Sequence, residues 1–153
     1  MNPPPTHVRP GSNASLAYAL LRFTLGINML LHGLVRLVPG PSGFADTLVQ
    51  GFANTPLPAP LVYAFAWVLP FAEAAVGALL IVGLWTRLVL MVGGLLMAAL
   101  VFGTALRSQW ETLGLQMFYS ALYAALLATE HVNALSIDGW RRRTAGAASP
   151  PPA

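Results

Sequence analysis

The chain has 153 residues, of which 56% are hydrophobic and only 8% charged, with a formal net charge of +3 and a mean hydropathy of +0.66. A soluble domain needs roughly a quarter of its residues charged to wet its surface, so this composition excludes one, and the surplus apolar area must face lipid. The basic residues are all arginine and too scattered for a nucleic-acid stripe, while the absence of cysteine removes disulfides, thiolate metal sites and thiol redox chemistry carried by this chain.

Met1 to Ser15 is polar and holds Pro3, Pro4, Pro5 and Pro10, so residues 1–14 read as a disordered lead. Arg22 interrupts the apolar stretch that follows, and no small-residue cleavage site ends it, so it is expected to stay as a membrane anchor. Four stretches approach the roughly 20 residues that cross the hydrocarbon core as helix. They run from about Ser15 to Val38, Pro60 to Leu84, Leu88 to Leu106 and Leu113 to Thr129. Trp85 and Thr86 leave room only for a tight hairpin between the second and third, and Arg107 to Glu111 links the third to the fourth. The long connection, Pro39 to Ala59, contains a helix-like piece near Phe44 to Phe52 with Phe44, Leu48, Val49 and Phe52 on one face. That stripe is expected to cap the bundle rather than lie exposed. The expected domains are thus the lead, a four-helix transmembrane domain over 15–134, and a cytoplasmic tail over 135–153, unstructured from Thr144 onward.

Arginine placement gives the orientation. Arg9, Arg87, Arg141, Arg142 and Arg143 fall on one side of such a bundle, and Arg36 and Arg107 on the other. The positive-inside rule then puts both termini in the cytoplasm and the amphipathic helix in the first extracytoplasmic loop. The expected fold is an all-α, multi-pass, four-transmembrane-helix bundle in a bacterial inner membrane.

Ionisable groups inside a bilayer are costly, which makes them candidates for function. A 100° step per residue gathers Arg22, Asn28, His32 and Arg36 on one arc of the first helix. Glu73 lies near the middle of the second, three residues after Pro70, whose missing N–H frees the carbonyl of Ala66. Gln116, Tyr119 and Tyr123 share a face of the fourth with Thr112 and Ser120. The third offers Gly93, Gly94 and Ala98 for close packing. With the start of the first helix level with the end of the second, Arg22 and Glu73 come within about 7 Å in depth, so they are expected to form the buried ion pair. The candidate site is Arg22, Asn28, His32, Arg36, Glu73, Gln116, Tyr119 and Tyr123, with no metal. Each has a plain alternative: a structural ion pair, interfacial anchors at His32 and Arg36, and packing tyrosines.

Leu21-Arg22-Phe23-Thr24-Leu25-Gly26, Leu31-His32-Gly33-Leu34-Val35-Arg36-Leu37 and the run from Glu73 to Arg87 with its Gly83-Leu84 and Thr86-Arg87 hairpin resemble the DoxX family of small bacterial membrane proteins. The likeness spans about Leu16 to Val132, with Arg36 standing where that family commonly has lysine. It implies a membrane component of a quinone-linked or redox-associated complex, with other membrane or redox subunits as partners besides the bilayer. Quinone is the one cofactor it suggests, and none is intrinsic to the chain. His32, Gln116 and Tyr119 would bond the head group and Glu73 would relay protons. With no cysteine and no two histidines at one depth, electrons must arrive from another subunit. A scaffold or assembly protein without chemistry of its own, and a small proton or solute pathway, remain open beside this reading, as does a homo-oligomer.

Overall fold

A computed structural model describes residues 10–147. Among them the structure is all-helical: α1 (Asn13–Leu37), α2 (Pro41–Gly51), α3 (Ala59–Val82), α4 (Thr86–Leu106), α5 (Trp110–Ala128), a 3₁₀ turn (Glu130–Val132) and α6 (Ile137–Ala147). Residues 1–9 of the expected lead and 148–153 of the expected tail lie outside the described residues. Of the remainder, Asn13 and Ala14 are already in α1, and Thr144 to Ala147, expected to be unstructured, continue α6.

The helix ends follow from local chemistry. Ser12 caps α1, its hydroxyl accepting the Ser15 amide at 3.3 Å, which satisfies one of the free donors of the first turn. Gly40 at φ +82° turns the chain so that Pro41 can open α2, a proline at the first helical position losing nothing. Gly83 ends α3 at φ +67°, and its amide and that of Leu84 return to the Leu79 carbonyl, a left-handed cap that suits glycine. Trp85, two residues on, is also left-handed at φ +49°, so two left-handed residues flanking Leu84 make the tight α3–α4 hairpin.

α1, α3 and α4 are each long and apolar enough to cross a membrane. α5, at 19 residues, carries Glu111, Gln116 and four hydroxyl-bearing side chains at Thr112, Tyr119, Ser120 and Tyr123. α1 packs mainly on α3, α4 mainly on α5, and α2 lies across α3. The outward faces are as apolar as the interior: Leu20, Val35, Leu95, Leu115 and Phe118 are all well exposed. Such a surface is stable only against lipid, and the chain is a membrane protein.

The α1–α3 seam is set by glycine. A methyl group on Gly77 would strike the Leu30 amide and approach the Gly26 carbonyl to 2.7 Å. One on Gly33 would strike the Pro70 carbonyl. Close backbone approach of this kind is the main source of helix association where lipid removes the hydrophobic driving force. On the α4–α5 side, Gly93 makes room for the ring of Tyr123; of the small residues expected to serve packing, Gly94 and Ala98 are not buried.

α6 was not legible in the sequence. Its Asp138 accepts the Trp85 amide at 3.0 Å and the Thr86 amide at 2.6 Å, so it caps the start of α4 from another helix. Asn133 Nδ2 donates to Thr86 Oγ1 at 3.0 Å, and Arg142 pairs with Glu130 at 2.9 Å. Burial pushes the Asp138 carboxyl up, but the hydrogen bonds from Thr86 and Trp85 and the nearby Arg142 outweigh it, leaving the group below its ordinary 3.8. A lowered carboxylate contributes stability that is complete above its unfolded pKa and is lost as pH falls through the folded one. Asp138→Asn is therefore expected to cost about 1 kcal/mol at pH 7, the usual value of a cap. The gap to wild type should close as the pH is taken below about 4. Thermal unfolding in detergent at pH 7 and pH 3 measures it; an equal gap at both values would mean the carboxylate charge plays no part.

Candidate functional site

The seam glycines fix a register in which Gly26 meets Gly77 and Ile81, while Gly33 meets Pro70 and Ala74. Arg22 then lies level with the last turn of α3, and Arg36 about one turn beyond Glu73. The expected Arg22–Glu73 pair therefore does not form. Arg22 donates instead to the Leu80 carbonyl, to that of Ile81 at 3.0 Å and to that of Leu135 at 2.9 Å. Carbonyls at a helix end have spare acceptor capacity, even Leu80, which also takes the Gly83 amide at 3.2 Å, and they carry the negative end of the helix dipole. An arginine in the bilayer needs acceptors, and a helix terminus supplies them without a carboxylate.

Glu73 pairs with Arg36. Long side chains lean toward the N-terminus of their own helix, so Arg36 reaches back down α1 to the level of Glu73. The Glu73 side chain is 1% exposed and that of Arg36 27%. Glu73 Oε2 has no hydrogen-bond partner.

The rest of the α1 arc divides. At 100° per residue, Arg22 and Asn28 stand about 120° apart, too wide to serve one volume. Asn28 Nδ2 donates to the Tyr119 hydroxyl at 3.3 Å, joining α1 to α5. His32 is exposed on the outer face, its Nδ1 2.9 Å from the Asn28 carbonyl of its own helix. Tyr123 is buried against Gly93. Arg22, Asn28 with Tyr119, Arg36 with Glu73, and Tyr123 are thus four separate places.

The structure brings two of these residues, Arg36 and Gln116, to one cavity of about 370 Å³ between α2, α3, α4 and the start of α5. Its walls are apolar, from Phe44 and Leu48 of α2 and Phe52 at its C-terminal cap, Leu61, Phe65 and Leu69 of α3, and Leu100 and Phe102 of α4. Three residues of the α2 stripe therefore face the cavity as a cap, while Val49 lines a groove beside it. The polar rim is Arg36, Thr104, Arg107, Gln109, Thr112 and Gln116. No carboxylate lines it.

Arg107 was missed by sequence reasoning, which treated it only as a topology marker. Its guanidinium lies 5.3 Å from the Phe52 ring centroid, and that of Arg36 5.3 Å from Phe44, so the two arginines clasp α2 at its ends through cation–π contacts. Unlike Arg36, Arg107 has no carboxylate partner among the described residues. The available signal was the pairing of an aromatic stripe in the loop with the arginines that flank it. Gln116 Oε1 is buried without a partner. A carboxamide offers an acceptor and two donors, so the cavity can meet a ligand that accepts and one that donates. Among the described residues, no three His, Asp or Glu side chains gather as a metal site would require.

A family model described as methylamine utilisation protein MauE matches residues 14–112, from α1 to the start of α5. The chain belongs to the MauE family. That finding overturns the resemblance to DoxX, a different membrane family. The motifs behind that resemblance now have structural reasons: glycines where α1 crosses α3, and a left-handed glycine in a three-residue hairpin. Any helical membrane protein with those contacts needs such residues, so they do not identify a family. No curated protein and no solved structure matches the chain.

Proposed function

We propose that this MauE-family chain is a membrane subunit of a redox-associated system of the amine-utilising kind, and that its cavity holds a quinone. Where a methylamine, as in the family's description, is used by oxidation at its C–N bond, the electrons released need a carrier. A lipid-soluble quinone can reach a cavity among membrane helices.

One observation carries the ligand assignment: an apolar cavity whose charged rim groups are both donors, Arg36 and Arg107, with the unpartnered amide of Gln116 beside them. A quinone head group is acceptor-only and suits the guanidiniums. Its reduced form has hydroxyls, which Gln116 Oε1 accepts. Arg36 carries Glu73 behind it, a buried carboxylate placed to exchange the protons that accompany quinone chemistry. The chain has no cysteine, so electrons come from a partner subunit, consistent with a complex rather than a lone enzyme.

In this reading α5 is the fourth span, since the short link at Arg107–Gln109 sends it back along α4. Both termini and α6 then face the cytoplasm of a bacterial inner membrane, and the cavity opens toward the other side. The arginine asymmetry supports that orientation.

Mass spectrometry of quinones co-purifying in mild detergent tests the assignment. Wild type is expected to retain quinone, and Arg107→Leu and Gln116→Leu to retain about tenfold less, the loss of one good hydrogen bond. His32→Ala should match wild type, because His32 faces outward. Quinone at detergent background in wild type would overturn the ligand and favour a scaffold, for which the Arg22 and Asp138 networks would suffice.

A further inference from the structure

The opposite end of the molecule carries a feature that the cavity does not explain. Helices on a protein surface bury an apolar side and expose a polar one. α6 does the reverse. The side it turns to the protein holds Asp138 on the α4 amides, buried Gly139, and Arg142 on Glu130 and on the Asn133 carbonyl at 2.7 Å. Ile137 and Trp140 face away, and Trp140 is 60% exposed. Beside it, Trp85 in the α3–α4 hairpin is also 60% exposed, and Leu88 and Met91 on the first turns of α4 are exposed in line with it.

A groove runs between these elements, lined by Trp85, Arg87, Leu88, Met91, Glu130 and Arg142 among others. Its acids are already engaged: Glu130 by Arg142, Asp138 by two amides. Arg87, Arg141 and Arg143 have no carboxylate partner among the described residues; Arg143 bonds only the Ala134 carbonyl, at 2.7 Å. Apolar groups on the α4 side, two exposed indoles and an excess of guanidiniums follow one another along the surface, as acyl chain, interface and phosphate do in a leaflet.

We infer that α6 lies in the membrane interface and, with the start of α4, forms a binding site for an anionic phospholipid. The phosphate meets Arg87, with Arg141 and Arg143 supplying the surrounding positive field, and an acyl chain lies along Leu88 and Met91. Trp140 and Ile137 enter the head-group boundary. This inference is independent of the quinone assignment, which concerns the other end of the molecule.

Native mass spectrometry after exchange into an equimolar mixture of phosphatidylglycerol and phosphatidylcholine tests it. Wild type is expected to carry phosphatidylglycerol over phosphatidylcholine by at least about fivefold, since one arginine near an anionic surface contributes about that factor. The triple variant Arg87→Gln, Arg141→Gln, Arg143→Gln should bind the two alike. It leaves the Asp138, Asn133 and Arg142 contacts in place, and unchanged helicity confirms that it folds. A second readout is quenching by brominated phosphatidylglycerol in vesicles, which should fall on Trp140→Phe. Equal binding of the two lipids by wild type would overturn the inference. So would an undiminished preference in the triple variant, or quenching that Trp140→Phe leaves unchanged.

Discussion

Arg36→Leu is expected to destabilise the fold by about 3–5 kcal/mol, and Arg36→Leu combined with Glu73→Leu by far less. Glu73 is 1% exposed, and one of its carboxylate oxygens already lacks a partner. Removing the guanidinium leaves a charge in the bilayer interior with nothing to compensate it. Removing both partners exchanges an ion pair for apolar side chains, which buried sites often accept without loss. The single variant also releases the Phe44 ring from its cation, so α2 should loosen over the cavity. Unfolding in detergent, followed by helicity for both singles and the double, gives the coupling energy directly. A double variant as unstable as Arg36→Leu would mean that Arg36 acts through its packing on α2 and not through Glu73.

That pair also shows what the sequence carried and what it did not. Period and hydropathy located α1, α3, α4 and α5 to within a few residues, and of the α2 stripe Phe44, Leu48, Val49 and Phe52 all but Val49 turn to the cavity as expected. Such patterns describe one helix at a time. Which arginine meets Glu73 depends on how far α1 is slid along α3, and aligning the two helices by their ends misplaces that register. The glycines at 26, 33 and 77 held the missing information, since only backbone contact explains them, but spacing alone does not say which glycine faces which. The polar arc on α1 failed for a related reason: residues 120° apart on one helix belong to different neighbours. α6 was hidden because its protein-facing side is polar, so its composition resembles a solvated tail. Arg107 needed α2 folded over it before it could be counted with the cavity.

The seam itself yields the other large effect. Gly77→Ala is expected to cost about 1–3 kcal/mol, although alanine is the better helix former by about 1 kcal/mol. The added methyl meets three backbone atoms of α1: the Leu30 amide, the Gly26 carbonyl at 2.7 Å and the Leu30 Cα at 2.7 Å. Backbone cannot rotate aside as a side chain would, so α1 and α3 must separate. Gly114→Ala is the matched control. Gly114 lies within α5, and nothing stands within 4 Å of where its methyl would go, so that variant should be neutral or slightly stabilised. The same separation would draw Arg36 away from Glu73 and slacken the hold of α1 on α2. Gly77→Ala should therefore lose quinone retention along with stability, at a distance from the cavity wall, whereas Gly114→Ala should lose neither. If Gly77→Ala proved as stable as Gly114→Ala, the crossing would be looser than its backbone contacts indicate. The register that gives Arg22 to the end of α3 and Arg36 to Glu73 would then need another cause.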